Sequence, residues 1–179
     1  MVSNRENIIL AGMLGVGKTA VGRMLAERLD FGFVDIEAEM EQVTGMKLAD
    51  IYKKHGRVRF YAEENLLLAK LCADDGKVIA VGGALPPQSA QIARWQELGS
   101  VVWLQADADT ILRRVRRKRN VCFLLRQPGL AAVETMIAER APLYEAAAAY
   151  AVDLDSCPLE QAVDMIMDFY TMGTVCSRV

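Results

Sequence analysis

Apolar residues along the chain follow two alternating patterns. Five short apolar runs predict buried strands, and they read NIILAG, FGFVDI, KVIAVGG, SVVWLQA and AYAVDLD. The segments between them carry apolar residues at helical spacing, as in KTAVGRMLAERL, where Val21, Leu25 and Leu29 fall on one face. Apolar strands that alternate with helices predict a parallel sheet covered on both faces, so the chain is expected to be an α/β protein.

The remaining predicted helices are ENLLLAKLCA, SAQIARWQEL, ADTILRRVRRK, GLAAVETMIAERAPLYEAAAAY and PLEQAVDMIMDFY. No internal repeat or linker interrupts this order, so we expect residues 1–179 to form a single domain. The last stretch, about residues 171–179, has no clear pattern, and we expect it to be a disordered tail.

Composition narrows the class of protein further. Hydrophobic residues make up 53% and charged residues 25% of the chain, which is typical of a globular protein. The net charge of -2 gives no general attraction to nucleic acid or to an anionic membrane, so we expect neither as a partner. The four cysteines lack metal-type spacing and favour a reducing compartment. No apolar stretch approaches the ~20 residues of a membrane helix, and a cytoplasmic location is the simplest expectation.

One glycine-rich segment carries a specific chemistry. GMLGVGKT, from Gly12 to Thr19, fits G-x-x-x-x-G-K-[ST] and lies between a predicted strand and a predicted helix. In that context backbone N–H groups converge on phosphate oxygens, and the helix N-terminus adds positive partial charge. We expect Lys18 to reach the β- and γ-phosphates as a catalytic residue and Thr19 to ligate Mg²⁺. The expected ATP-binding residues of this segment are Gly12, Gly15, Val16, Gly17, Lys18, Thr19 and Ala20.

A phosphate-binding segment of this kind occurs in motor ATPases, in GTPases and in kinases of small molecules. The guanine signature N-K-x-D does not occur in the sequence, which argues against a GTPase. The length of 179 residues leaves little room for a large partner-binding apparatus. A compact kinase of a small metabolite or nucleotide is therefore favoured.

Further segments resemble the shikimate kinase family. They are GFVDIEAEMEQVTGMKLADIYKKHG, the glycine-rich VIAVGGAL, AERAPLYEAAA with its R-x-P-L-Y pattern, and VDLDSCP. With the phosphate-binding segment, the resemblance extends from about Asn7 to about Met167. It implies a three-layer α/β/α P-loop kinase fold, with a five-stranded parallel sheet in the order 2-3-1-4-5 and a mobile lid at about residues 118–130. It also implies a monomer that transfers phosphate from ATP to shikimate, with ATP and Mg²⁺ as cofactors.

The resemblance assigns roles in the nucleotide half of the site. Asp35 would complete a Mg²⁺ site beside Thr19, and a carboxylate at a strand end suits a hard cation. The alternative is that Asp35 caps the helix that follows it. Within the basic run RRVRRKR, Arg114 would lie against the nucleotide, while most of the run forms a solvated face.

In the substrate half, the resemblance assigns Arg140 to the substrate carboxylate, for which a guanidinium offers a planar fork. The alternative is a surface ion pair of Arg140 with Glu139 or Glu145. Gly82 and Gly83 would bring their backbone against the cyclic substrate, or would form an ordinary turn after the strand.

The chain departs from the family at this substrate pocket. The second acidic residue of the family's D-x-D is Glu37, which is one methylene longer and would contact the accepting hydroxyl as the candidate base. The substrate-gripping arginine of F-R-x-x-E is Tyr61, and Val81 replaces the first of three glycines. Arg59 or Arg57, just upstream, would replace the lost grip, and Arg59 is favoured if this turn is not helical.

The predicted lid departs from the family as well. The family's R-P-L-L reads CFLL at residues 122–125, and Arg119 and Arg126 flank the missing arginine. These changes leave two alternatives open. The chain would be a kinase of another hydroxy acid, or a paralogue that binds nucleotide without transferring phosphate.

Overall fold

The computed structural model describes residues 6–71, 75–117 and 129–176, in which strands and helices alternate along the chain. The strands are β1 (Asn7–Ala11), β2 (Gly32–Asp35), β3 (Lys77–Ala80), β4 (Gly99–Gln105) and β5 (Tyr150–Asp153). The helices are α1 (Lys18–Leu29), α2 (Ile36–Thr44), α3 (Leu48–Leu71), α4 (Ser89–Leu98), α5 (Ala108–Arg117), α6 (Leu130–Ala147) and α7 (Leu159–Cys176). Among these described helices, none has the length together with the apolar content that a bilayer crossing requires.

The five strands form one sheet in the order β2-β3-β1-β4-β5, and every pairing is parallel. The strand β1 lies at the centre, where Ile9 is aligned with Ile79 of β3 on one side and with Val101 of β4 on the other. The predicted fold class and strand order are therefore confirmed.

Helices cover both faces of this sheet. Because successive strand residues point to opposite faces, Ile8 and its neighbour Ile9 enter different buried clusters. Ile8 packs in a cluster that includes Val21 of α1 and Val163 of α7. Ile9 belongs to the other cluster, which includes Trp95 of α4. The two clusters make the three layers that the apolar strands predicted.

The segment between β2 and β3 contains more helix than the apolar pattern predicted. Asp35 accepts a hydrogen bond from the backbone N–H of Ala38 at 3.4 Å and thereby caps α2, a short helix that the pattern did not distinguish. The next helix, α3, begins at Leu48, upstream of the predicted ENLLLAKLCA. Its path bends at Gly56, where φ is 73° and ψ is -175°.

The expected disordered tail is corrected in part. Residues 171–176 continue α7, and the Thr171 hydroxyl donates a hydrogen bond to the carbonyl of Met167 at 2.9 Å. Once a helix has formed, each further residue adds a backbone hydrogen bond, so it extends beyond its clearest apolar pattern. Residues 177–179 lie outside the described residues, as do residues 118–128, so the mobile lid stays a prediction.

Parallel pairing brings the carboxyl ends of β1, β2 and β3 to one edge of the sheet. The register aligns both Leu10 of β1 and Asp35 of β2 with Ala80 of β3. The segments that follow these strands, which include the phosphate-binding segment and residues 81–84, therefore meet at this edge. Open α/β sheets bind their ligands at such an edge.

Candidate active site

The phosphate-binding segment forms a tight loop between β1 and α1. Its three glycines, Gly12, Gly15 and Gly17, all have positive φ angles, of 144°, 82° and 127°. A side chain at Gly12 would also place its Cβ 2.6 Å from the backbone oxygen of Leu104. Gly17 is the N-cap of α1 and has no side chain, so the first N–H groups of the helix are free to bind an anion.

Lys18 lies across this loop. Its ammonium donates hydrogen bonds to the carbonyl oxygens of Gly12, at 2.8 Å, and Met13, at 3.2 Å. Burial lowers the pKa of Lys18, and the carboxylates of Glu37 and Asp35 oppose that shift. The structure therefore places a buried cation between the loop and two acidic side chains, where a bound polyphosphate would meet it.

The candidate metal ligands are in contact. The Thr19 hydroxyl donates to a carboxylate oxygen of Asp35 at 2.8 Å, and Asp35 also caps α2, so both of its expected roles are compatible. In the part of the chain that the structure describes, no cluster of three or more acidic, histidine or cysteine side chains forms a metal site. One hydroxyl and one carboxylate fit Mg²⁺, which commonly takes its other ligands from phosphates and water.

A cavity of about 610 Å³ extends from the loop past α5 to the segment after β5. Beside the loop, the Arg114 guanidinium donates a hydrogen bond to the carbonyl of Val16. Arg117, Leu154 and Leu159 also line this cavity. The combination of arginines and leucines suits a nucleotide, whose base is apolar on its faces and whose phosphates are anionic. Of these residues, only Arg114 and Val16 were predicted from the sequence, since nothing in a basic run distinguishes Arg117.

Glu37 lies on the first turn of α2, and its half-buried carboxylate reaches the glycine segment after β3. One oxygen, Oε1, accepts hydrogen bonds from the backbone N–H groups of Gly83 at 2.8 Å and Ala84 at 3.0 Å. The same carboxylate is a source of negative charge for Lys18. Glu37 is thus placed between the phosphate-binding lysine and the predicted substrate-binding backbone.

Arg140 points into the molecule from α6 and is only 5% exposed. Its guanidinium donates to the carbonyl oxygens of Gly83 at 3.0 Å and Ala84 at 3.2 Å. The guanidinium lies in this cluster, so the surface ion pair considered as an alternative is not what the structure contains. Because arginine carries five N–H donors, donors remain for an anionic ligand.

The glycine segment and the phosphate-binding loop are in direct contact. A Cβ added at Gly83 would lie 2.4 Å from the Lys18 ammonium and 2.7 Å from the carbonyl oxygen of Gly12. The backbone N–H of Leu14 also donates to the carbonyl of Gly83 at 3.2 Å. This close approach, which only a glycine permits, joins the predicted nucleotide and substrate residues into one site.

Of the predicted substrate residues on α3, one lies beside this cluster and the other does not. Tyr61 is 7% exposed, and its hydroxyl donates to the carbonyl of Pro86 at 2.7 Å. Arg59 instead pairs with Glu63, four residues on, and lines a separate cavity. Of the two candidate arginines on α3, Arg57 is the one that acts on Tyr61, since its charge, like that of Arg140, opposes the burial that raises the pKa of Tyr61.

Two further residues of the cluster were not identified from the sequence. Glu64 is 3% exposed, and one of its oxygens accepts from the backbone N–H of Gly82 at 3.2 Å. The other oxygen accepts from the side-chain amide of Gln91, which is 1% exposed. Burial, and then the neighbouring charge of Glu37, raises the pKa of Glu64 to about 7. The only available signal was that Glu64 is the glutamate of the F-R-x-x-E pattern.

Comparisons with known proteins agree with this geometry. A model of the shikimate kinase family matches residues 14–171. A shikimate kinase of Pelotomaculum thermopropionicum is 40% identical over 164 residues, which cover 92% of this chain and 95% of that protein. The solved structure of a shikimate kinase from Acinetobacter baumannii in complex with shikimate has a TM-score of 0.88 at 29% identity and covers 95% of each chain. That of a shikimate kinase from Aquifex aeolicus has a TM-score of 0.78 at 25% identity, covering 94% of this chain and 98% of that one. The chain belongs to the shikimate kinase family.

Proposed function

We propose that this protein transfers the γ-phosphoryl group of ATP to a hydroxyl of shikimate. The observation that carries the proposal is the contact between Lys18 and Gly83, because it places the two halves of a phosphotransfer site side by side. The solved relative from Acinetobacter baumannii holds shikimate, which supports the same acceptor here.

In the nucleotide half, the loop N–H groups and Lys18 would hold the β- and γ-phosphates. Arg114 would lie against the nucleotide beside the loop. Thr19 and Asp35 would hold Mg²⁺, whose charge offsets the negative charge of the transferring phosphoryl group. The buried position of Lys18 strengthens its interaction with phosphate, since the cation is shielded from water.

In the acceptor half, Arg140 would bind the carboxylate of shikimate through N–H donors that remain available. The backbone of Gly82 and Gly83 would lie against the ring. Glu37 would accept the proton of the shikimate hydroxyl while the oxygen of that hydroxyl forms a bond to the γ-phosphorus. The bond between that phosphorus and the bridging oxygen then breaks, and ADP leaves with the electron pair.

The proposal is tested by measuring ADP release with shikimate, quinate and gluconate as acceptors, with the product identified by mass spectrometry. We expect release with shikimate, its loss in Lys18→Ala, and normal release in Lys53→Ala, which changes an exposed lysine. Release with another acid but not with shikimate would assign a different acceptor. ATP binding without release for any acceptor would identify a protein that binds nucleotide only.

A further inference from the structure

Glu64 is a buried carboxyl group that the proposed reaction does not use. It is held at both oxygens, by the backbone N–H of Gly82 and by the side chain of Gln91. Gln91 is itself fixed, because its carbonyl oxygen accepts from the backbone N–H of Gln88 at 2.9 Å at the start of α4. Glu64 is therefore rigidly attached to the segment that would carry the acceptor.

Two carboxylates converge on this segment. A Cβ added at Gly82 would lie 2.5 Å from an oxygen of Glu64 and 3.7 Å from an oxygen of Glu37. An acceptor packed against Gly82 would consequently lie close to both of them. An acidic acceptor would bring a third negative charge into this space.

Among the charges that act on Glu64, Lys18 is the positive one and Glu37 the negative one. Glu37 from α2 faces Glu64 and disfavours its ionised form, while Lys18 from α1 favours it. Tyr61 of α3 and Tyr144 of α6 are neutral neighbours. Two arginines add positive charge nearby: Arg57, whose charge acts on Tyr61, and Arg140, which is hydrogen-bonded to the adjacent backbone. The family arginine that would have stood on the same turn of α3 is replaced by Tyr61 in this chain.

We propose that Glu64 takes up a proton from solvent when an acidic acceptor binds beside Gly82, so that the acceptor and its compensating charge bind together. The inference deepens the proposed function and rests on it. The proton adds to a carboxylate oxygen of Glu64, and no other bond changes. Protonation also gives Glu64 an O–H donor, whereas the ionised side chain can only accept hydrogen bonds. Glu64 is thus a positioning residue of the acceptor site.

Proton uptake by Glu64 makes the affinity for the acceptor depend on pH. The pKa of Glu64 in the free protein is about 7, and an additional nearby anion raises it further. Acceptor affinity is then highest below pH 7, where Glu64 already carries the proton. Above pH 7 the affinity falls by at most about tenfold per pH unit, because one proton is taken up per acceptor.

The test is a calorimetric titration of shikimate into the protein at pH 7.5, in PIPES and in Tris buffer. Proton uptake makes the apparent binding enthalpy depend on the ionisation enthalpy of the buffer. Because Glu64 is already partly protonated at pH 7.5, we expect uptake of at most about three quarters of a proton per acceptor. In Glu64→Gln the uptake should disappear, and the acceptor affinity should become independent of pH between about 7 and 8.5. The exposed control Glu134→Gln, and His55→Gln, which removes the single histidine, should both retain the uptake.

A second variant keeps Glu64 and changes its partner. Gln91→Met removes the donor that stabilises the ionised carboxylate but keeps a similar volume. Loss of that donor raises the pKa of Glu64, so the fall in acceptor affinity should begin at a higher pH than in the wild type. A purely structural role of Glu64 would not produce this shift. Shikimate binding without uptake in the wild type, or unchanged uptake in Glu64→Gln, would overturn this inference alone. Absence of shikimate binding would overturn the proposed function as well.

Discussion

Arg140 is bound to the backbone of two adjacent residues, Gly83 and Ala84, through both terminal nitrogens of its guanidinium. Lysine at this position would keep the charge but lose the planar fork, which binds a carboxylate through two parallel hydrogen bonds. A hydrogen bond to a charged group contributes ~1.5–3 kcal/mol. We therefore expect Arg140→Lys to raise the KM for shikimate by roughly 10- to 100-fold.

The KM for ATP in Arg140→Lys should change much less than the KM for shikimate. The control Arg94→Lys, at an exposed ion pair with Glu97, should leave both constants unchanged. Steady-state kinetics with each substrate varied in turn give the two KM values. Equal changes for ATP and shikimate would contradict the assignment of Arg140 to the acceptor.

The position of the Glu37 carboxylate depends on the length of its side chain. Its carboxylate reaches the N–H groups of Gly83 and Ala84 from the first turn of α2, and aspartate would be one methylene shorter. A misplacement of ~1 Å costs about 10²-fold in rate. Glu37→Asp should accordingly lower kcat by about that factor, whereas Glu39→Asp on the same helix should not. An unchanged kcat in Glu37→Asp would mean that the carboxylate is not held at the reacting atoms by this contact.

At the scale of secondary-structure elements, the segment after β3 is wedged against the phosphate-binding loop. Gly83→Ala would force a methyl group to within 2.4 Å of the Lys18 ammonium and 2.7 Å of a backbone oxygen. Overpacking of this kind costs about 1–3 kcal/mol in the free energy of unfolding. We expect weaker binding of both ATP and shikimate together with that loss of stability.

The matched control is Gly129→Ala, because no atom of residues 6–71, 75–117 or 129–176 lies within 4 Å of a Cβ added there. In denaturant unfolding and in binding titrations, Gly83→Ala should be less stable than Gly129→Ala and should bind both substrates more weakly. If Gly83→Ala bound both substrates normally, the contact between the two halves of the site would be unimportant.

The sequence predicted elements better than side-chain directions. The segments KTAVGRMLAERL and SAQIARWQEL match α1 and α4, because their apolar spacing reflects the face that each helix buries. The choice between Arg57 and Arg59 depended on whether the turn is helical. Since the chain is helical after Gly56, Arg57 lies four residues before Tyr61 and on its side, while Arg59 faces Glu63.

The candidate site was predictable where a motif fixes the backbone, as in the glycine-rich loop. The burial of Glu64 and Gln91 could not be predicted, because both lie in helical runs where glutamate and glutamine are usually exposed. Their burial results from the packing of α3 and α4 around the end of β3, which no local pattern encodes. The predictions at Arg119 and Arg126 fall outside the described residues.

At the scale of the whole molecule, nucleotide binding should stabilise the fold. A ligand that binds only the folded state at 100 times its Kd adds about 2.7 kcal/mol to the free energy of unfolding. For a chain of this size, that corresponds to a rise in Tm of about 5–11 °C. We expect this rise with ADP and Mg²⁺ in the wild type and in Lys53→Ala, but not in Lys18→Ala. A full rise in Lys18→Ala, measured by calorimetry, would show that the lysine does not hold the phosphates.

The central position of β1 has a consequence for biosynthesis. The strand precedes the phosphate-binding loop, yet its two neighbours, β3 and β4, lie far along the chain. The Gly12 backbone also rests against Leu104, near the end of β4. A nascent polypeptide that has emerged from the ribosome only as far as α4 therefore lacks β4, against which the phosphate-binding loop packs. Nucleotide binding should begin only after β4, which is encoded in the second half of the gene, has been translated.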